Sequence, residues 1–81
     1  MDNSQLTAIR DAVSARLAVV ADHELRNADP AAHLEKLKQA AGRLDALASN
    51  LPKDCDPMLR HYLERQSYVK AVTWLDERLA G

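Results

Sequence analysis

Eighty-one residues, 47% hydrophobic and 28% charged, with a net charge of −1, a single cysteine and no phenylalanine describe one small domain with one thin core. The composition excludes an intrachain disulfide framework, because Cys55 has no second cysteine to pair with, and it excludes a basic arm or an acidic tail, because the signs nearly cancel in each third of the chain. Alanine and leucine dominate and glycine appears twice, which argues for an all-α fold.

The first helix is expected over about residues 4–26. Asp2, Asn3 and Ser4 are N-cap candidates, and Gln5 stands three residues after Asp2 as a capping box. Leu6, Ile9, Val13, Leu17 and Val20 then share about 80° of arc, a narrow stripe like a coiled-coil seam. The longest apolar run, Leu17 to Ala21, is far short of the roughly 20 residues of a membrane span. The opening residues lack the basic-then-apolar order of a signal peptide, so the reading is a cytoplasmic protein.

Asp29-Pro30 restarts the chain, with Asp as N-cap and Pro at the first helical position. The second helix, about 30–50, carries Leu34, Leu37, Ala41, Leu44, Ala48 and Leu51 at alternating spacings of three and four, the clearest period in the chain. It must end before Pro52, with Ser49-Asn50 as the stop. Asp56-Pro57 repeats the start signal, and a third helix is expected over about 57–79. Three helices of matched length joined by short loops predict an up-down-up three-helix bundle, with dimerisation as a means of completing or extending it.

The third helix has more apolar surface than one face holds. Met58, Tyr68, Ala71, Val72, Leu75 and Leu79 fall in one arc and serve the bundle, whereas Leu59, Leu63 and Trp74 point the other way. Two explanations compete: the helix bends, so that each half uses a different arc, or Leu59, Tyr62, Leu63, Gln66 and Trp74 contact a partner. Tyr and Trp are typical anchors at interface centres, and the expected partner is another protein or a second copy of the chain. The functional expectation is therefore a non-enzymatic interaction module, an adaptor, chaperone-like partner or inhibitor, with no cofactor, metal or small-molecule substrate.

His33-Leu34-Glu35-Lys36 resembles the H-x-x-K-G motif of histidine phosphotransfer domains, at His33 and Lys36 alone, with Leu37 in place of the glycine. That resemblance implies phosphate accepted on His33, its charge offset by Lys36, on a four-helix bundle longer than this chain. Tyr68-Val69-Lys70-Ala71 resembles helices of tetratricopeptide repeats, without their 34-residue period. Asp54, Cys55, Asp56 and His61 do not reproduce zinc-ligand spacing, and the flanking aspartates would raise the Cys55 pKa rather than activate it. A DNA-reading helix is the rival class. It needs a basic face, but Arg60, Arg65, Lys70 and Arg78 are interrupted by Glu64, Asp76 and Glu77.

Overall fold

The computed structural model describes residues 2–81 and is all-α, with no strand among the described residues. Among the described residues five helices stand where three were expected: α1 (Asn3–Ala21), α2 (His23–Ala28), α3 (Pro30–Ser49), α4 (Pro57–Glu64) and α5 (Tyr68–Ala80). The capping signals act as the side chains dictate. The Asp2 carboxylate accepts from the Gln5 backbone N–H at 2.8 Å, and the Gln5 side chain accepts from the Asp2 N–H at 3.1 Å, which closes the capping box. Asp29 and Asp56 accept from Ala32 and Met58, each with proline opening its helix.

The two additional breaks fall where neither glycine nor proline marks them. At Asp22 the side chain accepts from the Leu25 N–H at 3.1 Å, so this aspartate leaves the helix interior to cap α2. His33 meets that break: its Nε2 lies 2.8 Å from the Val19 carbonyl oxygen, and because a carbonyl only accepts, Nε2 carries the proton. The second break replaces a continuous 57–79 helix by a tight turn. The Ser67 N–H donates to Tyr62 O at 2.8 Å and the Gln66 N–H to Leu63 O at 3.2 Å, the paired bonds of a Schellman motif. The motif needs a left-handed residue, and Gln66 supplies it at φ 57°, the one positive φ among the described residues. Glycine takes this conformation without the clash that a Cβ brings. Gln66→Gly is therefore expected to stabilise the chain by about 1 kcal/mol, about 4–8 °C in the melting midpoint of a domain this size, as followed by circular dichroism.

Side-chain contacts fix the helix directions. His33 against Val19 sets α3 antiparallel to α1; Arg16 over the Tyr68 ring at 5.2 Å and the Arg10–Asp76 ion pair at 2.8 Å set α5 antiparallel to α1. Helix α4 turns back into α5 through the Gln66 turn, and Arg78 reaches the N-cap Asp56 at 3.1 Å, so these two also run antiparallel. The path is up, down, up, down, with α1 making the two largest interfaces, to α3 and α5.

The last two helices are short, and they cover the α1–α3 hairpin only at its base. There Ile9, Ala12, Val13, Leu44, Cys55, Leu59, Leu63, Ala71 and Leu75 form the buried core. Beyond Arg16 the hairpin protrudes as a tip, capped by α2. Among the described residues, none of α2 and only Leu44 of α3 is fully buried. The apolar seam continues into the tip, where Val20 and Leu34 are each 50% exposed. The molecule is accordingly long, 42 × 24 × 22 Å.

Candidate functional site

The surface expected to meet a partner was built from Leu59, Tyr62, Leu63, Gln66 and Trp74, and the turn at Gln66 separates them into two groups. Leu59 is 0% exposed and Leu63 7% exposed. Both point into the core, because the bend lets α4 and α5 present different arcs to the same interior. They are corrected from contact residues to core residues. The same bend turns Met58, expected inside, to the surface.

Tyr62 and Trp74 remain at the surface and half-buried, and they do come together. They line one shallow groove along the outer side of the α4–α5 hairpin, with Val69, Lys70, Thr73 and Glu77. Val69 is 66% exposed, the most open large hydrophobic side chain among the described residues. Gln66 is exposed on the turn and does not line the groove. On an unbroken helix Val69 sits, like Tyr62, at the border between the two apolar arcs; Tyr62 is expected at the interface for its ring, and Val69 has no such residue-type signal.

Trp74 is held in place from its other side. The Arg78 guanidinium lies 4.7 Å from the indole centroid while its NH2 donates to Asp56 at 3.1 Å, so one arginine joins the indole to the N-terminus of α4. A second concavity, lined by Leu6, Asp54, Asp56, Pro57, Trp74 and Arg78, opens on that side. The Arg78 contact favours one orientation of the indole before any partner arrives, which lowers the entropy cost of using it as an anchor.

The other candidates take structural places. His33 is half-buried and spends Nε2 on the Val19 carbonyl, so phosphate on that nitrogen would have to break the bond that ties α3 to the end of α1. Cys55 is buried, and burial is the main cause that pushes its thiol pKa up; Asp56 and Asp54 add to the rise and Arg60 opposes it. The direction matches the sequence argument, but burial rather than the neighbouring aspartates leads. The Sγ lies 3.6 Å from the Asp56 carbonyl oxygen as a weak donor. Among the described residues no group of three His, Cys, Asp or Glu side chains is placed to hold a metal ion. Among the described residues no helix is long and apolar enough to cross a membrane.

No family model matches this chain, and no curated protein or solved structure is significantly similar to it. The functional reading therefore rests on the groove itself.

Proposed function

We propose that this chain is a non-enzymatic protein-interaction module, an adaptor or inhibitor of the cytoplasm, that binds another protein through the outer face of the α4–α5 hairpin. The observation that carries the reading is the joining of Tyr62, exposed Val69 and the arginine-braced Trp74 in a single groove. Aromatic anchors flanking an apolar floor are the usual centre of a protein interface, and here Lys70 and Glu77 supply a rim of both signs. The site is smaller than the one expected from the sequence, because two of its leucines are spent on the core. It suits one amphipathic segment of a partner better than a broad, flat contact.

The test is a substitution that removes the floor and spares the fold. Val69→Lys alters a side chain already two-thirds in water, so helicity and melting should stay within the ordinary range of a surface change, about ±0.5 kcal/mol. In a capture experiment from cytoplasmic extract, the wild-type chain is expected to retain a saturable partner that Val69→Lys loses at least tenfold. Equal capture by both chains overturns the reading, as does a wild-type chain that retains nothing above a control.

A further inference from the structure

We propose that a second copy of this chain is a partner, and that the two copies join by exchanging α5, with the Gln66 turn as the hinge. The turn is poorly suited to stay closed. Its left-handed position holds a glutamine with no glycine's freedom, and the residues around it, Glu64-Arg65-Gln66-Ser67, contain no helix breaker. Ser67, which begins α5, makes no side-chain cap bond. Straightening the turn would relieve the left-handed residue, add helical hydrogen bonds and join α4 to α5 in one helix of about 36 Å. Short hinges under strain are where domain exchange starts.

The direction of the helices makes the exchange close on itself. A straightened α5 runs in the direction of α4, opposite to its course in the monomer. It can meet the α1 of another copy in the native antiparallel sense only if that copy is inverted, which is a two-fold axis at the hinge, and such a dimer has no free ends. Every contact of α5 is then remade between chains: Asp76 with Arg10, Tyr68 with Arg16, Arg78 with Asp56. The groove is remade as well, with Tyr62 from one chain and Val69 and Trp74 from the other.

A second, independent feature fits the same assembly. On a straight helix the buried residues of α4, Leu59 and Leu63, and those of α5, Ala71 and Leu75, point about 120° apart. One core cannot take both arcs of a straight helix, but two cores can, the lower arc facing its own base and the upper arc facing that of the inverted copy. The inverted copy also lies along the protruding tip, where Val20 and Leu34 are half exposed.

The test changes the hinge in both directions. A β-branched residue is strongly disfavoured at a positive φ, so Gln66→Ile opposes the turn, whereas Gln66→Gly favours the turn and weakens a continuous helix. Gln66 already bears a left-handed penalty of about tenfold per chain, and it acts at two hinges, so Gln66→Gly, which removes it, should loosen the dimer about a hundredfold, and Gln66→Ile, which adds to it, should tighten the dimer, as read by light scattering over a concentration series after refolding. To identify the exchange, chains carrying Arg10→Lys are prepared with light and with heavy nitrogen, refolded together and treated with a carbodiimide, which joins the new amine to Asp76 without a spacer. Exchange is shown by cross-linked peptides carrying one light and one heavy partner, in the dimer fraction only. The proposal is overturned if Gln66→Ile is helical and monomeric throughout, or if its dimers give same-isotope cross-links alone, the signature of two closed monomers side by side. Should Gln66→Ile fail to fold, the double variant Gln66→Ala with Ser67→Ala, which favours the continuous helix by propensity, is read by the same two criteria.

Discussion

Leu59→Ala is expected to leave the chain largely unfolded at physiological temperature. The side chain is 0% exposed, and truncating a buried leucine typically costs about 2–5 kcal/mol, from lost burial and from the cavity that remains. An 81-residue domain has about 4–12 kcal/mol in total, and this one, with nine buried core side chains among the described residues, belongs at the lower end. The substitution also separates the two explanations of the surplus apolar surface. A contact residue could be removed with its helix intact, whereas a core residue takes the helix with it. Urea denaturation followed by circular dichroism measures the cost directly, and a loss below about 1 kcal/mol would return Leu59 to the surface.

Ala71→Leu should destabilise by about 1–3 kcal/mol, for the opposite reason. Ala71 on α5 and Ala12 on α1 are 0% and 1% exposed, and both lie between the Arg16–Tyr68 and Arg10–Asp76 contacts that fix the register of these helices. With Ala71 fully buried on a helix packed against α1, an isobutyl group in its place must displace its neighbours. The added side chain must lever α5 away from α1, which breaks the Arg10–Asp76 and Arg16–Tyr68 contacts as well. The measurement is the same denaturation, joined to acrylamide quenching of Trp74, the sole tryptophan. Quenching should rise as α5 lifts, and an unchanged midpoint with unchanged quenching would show room that the burial of Ala71 denies.

What could be read in the sequence was what short-range chemistry dictates. Asp2 with Gln5, Asp29 with Pro30 and Asp56 with Pro57 start helices because carboxylates satisfy free backbone N–H groups, and that is a local fact. The all-α class follows from the same residues and from the stripes of α1 and α3. The breaks at Asp22 and Gln66 were illegible for different reasons. Asp22 is as acceptable on a helix surface as at a cap, and the choice depends on α3 offering His33 to the carbonyl at the break. Gln66 is an unfavourable residue for its turn, and nothing nearby asks for one; the turn exists because Leu59, Leu63, Ala71 and Leu75 all gain burial when the helix folds back. The double apolar face that signalled a partner was thus in part the mark of a bend. Tyr62 and Trp74 could be named from their residue type, and Val69 could be found only once the bend was known.

The unequal cover along the α1–α3 hairpin gives the molecule a graded resistance to opening. At the base, the turns of α1 around Ile9 and Val13 pack against α3 and α5 and share a core with Leu59 and Leu63 of α4, and their amides are expected to exchange with solvent only when the whole domain comes apart. At the other end of the 42 Å axis, α2 and the facing turns of α1 and α3 rest on one another alone, tied by caps and by the bond from His33 to Val19. With none of α2 and only Leu44 of α3 fully buried among the described residues, that end is expected to open by itself, many times for each global unfolding, as native-state hydrogen exchange would read. The chain is a firm base carrying a fraying tip, so a protease or a chaperone would meet α2 long before it met the core.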